Sequence, residues 1–130
     1  MEPTASKKHL VFMTVEAGET ALSTRKLVIE SAGYNCLSAV SGHQALRLAE
    51  IYPVHAVVLD ADVTDIPPVE FIDSISRLCP NIPIYYLSHD GWTPPELSKR
   101  VKATLRKMGD PRELVQELAA AFPDRSEHSA

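Results

Sequence analysis

Three apolar runs in this sequence end on polar residues of complementary chemistry. They are His55-Ala56-Val57-Val58-Leu59-Asp60, Ile84-Tyr85-Tyr86-Leu87-Ser88 and Ala103-Thr104-Leu105-Arg106-Lys107. In a parallel sheet, functional groups gather in the crevice beyond the carboxyl ends of the strands. Three strands ending this way would present an acid, a hydroxyl and an ammonium at one rim. Such a trio can accept and hold a phosphoryl group, because a carboxylate attacks phosphorus only when a positioned cation neutralises the incoming charge. An Asp at a strand end is, by itself, most often the start of a loop. The weight lies in the three ends together.

The elements around these residues must supply that sheet. Leu10-Val11-Phe12-Met13-Thr14-Val15 is apolar without strict alternation, as a strand covered on both faces should be. A helix is predicted over Glu19 to Ala32 from the spacing of Leu22, Val28, Ile29 and Ala32, with Gly33 as its stop. Asn35 to Val40 reads as a second strand, and Ser41 can cap a helix carrying Ala45, Leu48, Ala49 and Tyr52, ended by Pro53. The strand ending at Asp60 follows, then a helix around Val69, Ile72, Ile75 and Cys79, then the Ser88 strand. A fourth helix has room only from about Glu96 to Val101. The last is the clearest, with Asp110 as N-cap, Pro111 in first position, Glu113 in third, then Leu114, Val115, Leu118 and Phe122. Alternation of this kind argues for βα units with right-handed crossovers and helices on both faces.

Bulk composition narrows the function. The 130 residues are 45% apolar and 23% charged, the proportions of one globular domain able to bury a core without staples. A net charge of −4 gives no footing for nucleic acid, which needs clustered Lys and Arg, so Lys99-Arg100-Val101-Lys102 with Arg106-Lys107 reads as a solvated face. No apolar stretch is long enough to span a membrane and no signal core is visible, so a cytoplasmic location is expected. Cys36 and Cys79 read as buried reduced thiols, with a disulfide or a reactive Cys as the other reading. His9, His43, His55, His89 and His128 have no metal-site spacing. Trp92, near Tyr85 and Tyr86, can form an exposed partner patch or fold back over the short fourth helix.

The run from Leu10 to Phe122 resembles the receiver domain of bacterial response regulators, the phospho-accepting half of two-component signalling. The residues that carry the likeness are Glu30-Ser31-Ala32-Gly33-Tyr34, Ser41-Gly42-His43-Gln44-Ala45-Leu46, Val57-Val58-Leu59-Asp60 and Glu70-Phe71. Leu87-Ser88 and Leu105-Arg106-Lys107, running into Asp110-Pro111-Arg112-Glu113-Leu114, complete it. The resemblance implies an α/β, flavodoxin-like, doubly wound five-stranded parallel sheet of order 2-1-3-4-5, with five helices, the fourth short. The receiver domain is expected over 9–122, and the polar composition of the two ends reads as a disordered lead-in over 1–8 and a flexible tail over 123–130. Asp60 falls on the phosphorylated aspartate, Ser88 on the hydroxyl that bonds the phosphoryl group and Lys107 on the lysine that pairs with it.

The family binds Mg²⁺ through two acids closing the first strand together with the acceptor aspartate. Counted back from Gly33, those two positions are Glu16 and Ala17, so one acid is present and the other missing. Mg²⁺ needs near-octahedral oxygen donors. The metal set implied here is therefore Glu16, Asp60 and the unusual Asp62, with Glu16 as a simple loop acid and Asp62 as a solvated loop acid in the other reading. Further departures are Thr64 and Pro68 in the loop after Asp60, and Thr104 where an aromatic ring usually relays the switch. Met108 replaces a cis Pro, so a trans peptide is expected, and His89 is bulky enough to narrow access to Asp60.

Three functions follow as expectations. The first is a stand-alone receiver, not itself an enzyme, that takes a phosphoryl group from a histidine kinase or phosphotransfer protein on Asp60. It would signal to a downstream protein through the face built by the fourth helix, the last strand and the last helix. The second is a pseudo-receiver, a phosphorylation-independent protein-binding module, motivated by Ala17, Thr104 and Met108. The third, a small enzyme on the same sheet, ranks below both, since Glu16-Ala17-Gly18-Glu19 is no phosphate loop and its acids would repel a nucleotide.

Overall fold

The apolar runs become the strands of a single parallel sheet in the computed structural model, which describes residues 9–123. The expectations for the lead-in, 1–8, and for the tail from 124 onward lie outside the described residues. The elements are β1 (Val11–Val15), α1 (Glu19–Ser31), β2 (Asn35–Ala39), α2 (Gly42–Ile51), β3 (Ala56–Asp60), α3 (Pro68–Leu78), β4 (Ile84–Ser88), α4 (Pro95–Ser98), β5 (Ala103–Arg106) and α5 (Pro111–Ala121). The strand order is 2-1-3-4-5, and every neighbouring pair is parallel.

Side chains alternate between the two faces of each strand, and each face carries its own core. Met13, Val15, Val57, Leu59, Ile84 and Tyr86 pack with Ala45 of α2, Phe71, Ile72 and Ile75 of α3, and Leu97 of α4. Phe12, Ala56, Val58, Tyr85 and Leu87 pack with Ile29 of α1 and Leu114 and Leu118 of α5. Thr14 and Glu16 continue the register of Phe12, so they follow the face covered by α1 and α5.

The helix ends are built as the sequence directs. Ser41 accepts the Gln44 amide and Asp110 accepts the Arg112 amide, each satisfying an otherwise orphaned donor. Gly33 follows α1 at φ +100°, a conformation that L side chains rarely adopt. The fourth helix is shorter than expected, four residues instead of six, and a last turn closed by the Arg100 and Val101 amides on the Leu97 carbonyl leads from it toward β5. No peptide bond among the described residues is cis, so the Lys107–Met108 bond is trans as expected. Cys36 and Cys79 are both free, and burial pushes the Cys36 thiol up to about 12, as suits an inert core residue. Among the described residues, no helix is long and apolar enough to cross a membrane.

Candidate functional site

Asp60 closes β3 with its side chain fully buried, so its charge must be satisfied from within. The Lys107 ammonium lies 2.8 Å from Asp60 Oδ2. The Ala17 amide donates to the same oxygen at 3.2 Å, and the Asp62 amide donates to Oδ1 at 3.0 Å. The acid and the lysine are therefore brought together as the strand-end pattern predicts. Ser88 comes to the same rim through its backbone, whose carbonyl accepts the Lys107 amide at 2.8 Å. Its buried hydroxyl has no hydrogen-bond partner.

Asp62 is not a free loop acid. Lys107 donates to its Oδ2 at 3.0 Å, and a ring nitrogen of His89 sits 2.8 Å from the same oxygen. Hydrogen bonds from His89 and Lys107 hold the Asp62 carboxyl below its ordinary 3.8. Burial works against the charged form of Lys107, but its bonds to Asp60 and Asp62 outweigh that and raise its pKa above 10.5. The side chain of Lys107 is only 10% exposed, so the reading of Arg106-Lys107 as a wholly solvated pair does not hold.

Glu16 is placed where a metal ligand would not be. Its side chain has no exposed surface, and Arg25 of α1 grips it as a fork, Nε to Oε2 at 2.9 Å and Nη2 to Oε1 at 3.2 Å. The Thr14 hydroxyl donates to Oε2 at 2.6 Å. Arg25 Nη2 also donates to the Lys107 carbonyl at 3.1 Å, so one guanidinium joins the end of β1 to the end of β5. Arg25 stands outside the strand-end pattern that marks the other residues of the site. Its signal was available: it stands on the buried face of α1 between Leu22 and Ile29, where a charge demands a partner.

These donors do not fit the Mg²⁺ that the resemblance implies. Both oxygens of Glu16 are taken by Arg25 and Thr14, the Ala17 side chain has no oxygen and its amide points at Asp60, and the Asp60 oxygens face two amides and an ammonium. A divalent ion needs oxygen acceptors in that place. Among the described residues, no group of three or more His, Cys, Asp or Glu is arranged to hold a metal ion.

The loops around the rim are tied down in ways the sequence left open. Asp65 accepts the Gly42 amide at 2.8 Å and the His43 amide at 3.0 Å, anchoring the loop after β3 to the start of α2. Burial works against the Asp65 carboxylate, but these bonds and the His43 ring outweigh it and lower its pKa. Thr104, where the resemblance implied an aromatic ring, hydrogen-bonds the Thr93 hydroxyl and ties the β4–α4 loop to β5. Trp92 is 61% exposed while Tyr85 and Tyr86 are buried, so Trp92 neither covers α4 nor forms a patch with the tyrosines.

A pH dependence follows from the lowered carboxyls of Asp62 and Asp65. A carboxylate whose pKa falls on folding contributes stability above its unfolded value, and that contribution is lost as pH drops through the folded value. The urea midpoint should therefore hold near neutrality and decline between about pH 5 and pH 2. Asp62→Asn should flatten that decline, and a decline of unchanged steepness would contradict the role given to Asp62.

No protein-family model matches the chain. No curated protein matches it in sequence. Solved structures do match. A CheY-like response regulator receiver domain from Methanospirillum hungatei superposes with a TM-score of 0.77 at 18% identity, covering 92% of this chain and 98% of that one. The chemotaxis response regulator CheY4 of Vibrio cholerae gives 0.74 at 19% identity, covering 85% and 97%. The receiver domain of a Pseudomonas aeruginosa sensor histidine kinase gives 0.75 at 20% identity, covering 85% and 95%. That domain has a magnesium ion coordinated in its active-site cleft. The chain thus has the fold of the CheY-like receiver domains, with the 2-1-3-4-5 sheet and five helices that the resemblance implied.

Proposed function

We propose that this chain is a non-enzymatic receiver-fold signalling module that acts through protein contacts without phosphorylation. One observation carries the reading: the site's charges are paired internally. Lys107 spans Asp60 and Asp62, and Arg25 neutralises Glu16. An incoming phosphoryl group would meet a carboxylate with no exposed surface and no cation left to receive it. Signalling then rests on a partner protein. Trp92 and Met108, 61% and 85% exposed on the loops after β4 and β5, are apolar contacts offered to such a partner.

A second reading is favoured by the meeting of Asp60 with Lys107 and by the unpartnered Ser88 hydroxyl at the next strand end. Here an Asp60 oxygen attacks the phosphorus of a histidine kinase or phosphotransfer protein. The P–N bond to the donor histidine breaks, and an acyl phosphate forms. Its added charge would be shared by Lys107 and Ser88.

Incubation with acetyl phosphate and Mg²⁺, read by intact mass, separates the two. The expected result is an unmodified chain at high donor and metal. Addition of one phosphoryl group, abolished in Asp60→Asn, would overturn the first reading in favour of the second.

A further inference from the structure

We infer that Arg25 is the residue that bars divalent cations from this site, its guanidinium serving as a built-in cation. The inference concerns the cation alone and stands whether or not Asp60 accepts a phosphoryl group. Loss of the second acid to Ala17 is the visible departure in the sequence, and it alone would weaken a metal site. The geometry goes further. Arg25 binds both oxygens of the one remaining first-strand acid, Glu16, and so removes it from the set of available ligands.

Position matters as much as charge. The same Nη2 that holds Glu16 also donates to the Lys107 carbonyl, which puts the guanidinium between the ends of β1 and β5. Lys107 in turn reaches Asp60 and Asp62 from the other side. The carboxylates of Glu16, Asp60 and Asp62 thus face two permanent cations joined through the backbone of Lys107. A dication entering this cluster would have to displace one cation and approach the other. Supplying a second acid at position 17 cannot by itself overcome that, because Glu16 would remain bound and the repulsion would persist.

The consequence is testable with Mn²⁺, a probe that takes the same oxygen donors as Mg²⁺. The chain, Ala17→Asp, and Ala17→Asp combined with Arg25→Gln are titrated by calorimetry. Gln keeps an N–H donor beside Glu16 and loses the charge. The expected result is that Ala17→Asp binds Mn²⁺ no better than the parent, whereas the double variant binds at least tenfold tighter than Ala17→Asp. Ala17→Asp binding within twofold of the double variant would overturn the inference. If the double variant is unfolded in metal-free buffer, Mn²⁺ is titrated while circular dichroism follows folding. Recovery at concentrations that leave Ala17→Asp unshifted supports the inference, and no recovery overturns it.

Discussion

Replacing Arg25 by Met should destabilise the protein by about 3–5 kcal/mol, the cost typical of stripping one partner from a buried ion pair. Glu16 would be left with a single hydroxyl donor, Thr14, and no contact with water. A carboxylate so placed either loses most of its solvation or takes up a proton, and both outcomes oppose folding. For a domain whose whole stability lies in the range of about 5–15 kcal/mol, this is a large fraction. The thermal midpoint should fall by about 10–20 °C. Removing both charges, as Glu16→Met with Arg25→Met, should recover most of the loss, since hydrophobic replacement of a whole buried pair is often neutral or stabilising. Urea unfolding of the two single variants and the double variant measures the coupling directly. A loss below about 1 kcal/mol for Arg25→Met would mean that Glu16 finds another partner cheaply, contrary to the geometry.

The second large effect is an asymmetry between Lys107 and Asp60. Lys107 has two carboxylate partners, whereas Asp60 has one cation and two backbone amides. Lys107→Met leaves the buried Asp60 charge without its cation and should cost about 3 kcal/mol. Asp60→Asn keeps an acceptor for an amide and leaves Lys107 paired with Asp62, so it should cost about 1 kcal/mol. The order of the two losses is the critical outcome. If Asp60→Asn is the more damaging, the carboxylate's bonds to the Ala17 and Asp62 amides govern this corner more than the ion pair does. The same variants serve the phosphodonor experiment, because Asp60→Asn removes the acceptor with little expected harm to the fold.

Much of this architecture was legible in the residues because the determinants are local. The runs at Val11–Val15, Ala56–Asp60 and Ile84–Ser88 are too apolar to sit anywhere but between two helical layers, and Ser41 and Asp110 mark helix starts by their own chemistry. The pairing of Asp60 with Lys107 was legible for a different reason: parallel strands deliver their ends to one rim. What escaped was the tertiary wiring of charges. Glu16 fits a metal ligand by position along the chain, and only the fold shows a guanidinium from α1 closing on it. Asp62 fits a loop acid or a ligand until Lys107 and His89, from two other loops, arrive at its Oδ2. Thr104 signalled that the aromatic relay was missing but not that Thr93 would meet it.

The guanidinium of Arg25 touches structure from both β1 and β5, which in the sheet are separated by β3 and β4. This has a bearing on how such a chain can change over generations. Losing Arg25 first strands a buried acid, while gaining an acid at position 17 first adds negative charge where none is sought. Any single change toward a cation-loading pocket is penalised, so Glu16 and Arg25 behave as one unit, to be kept or discarded together.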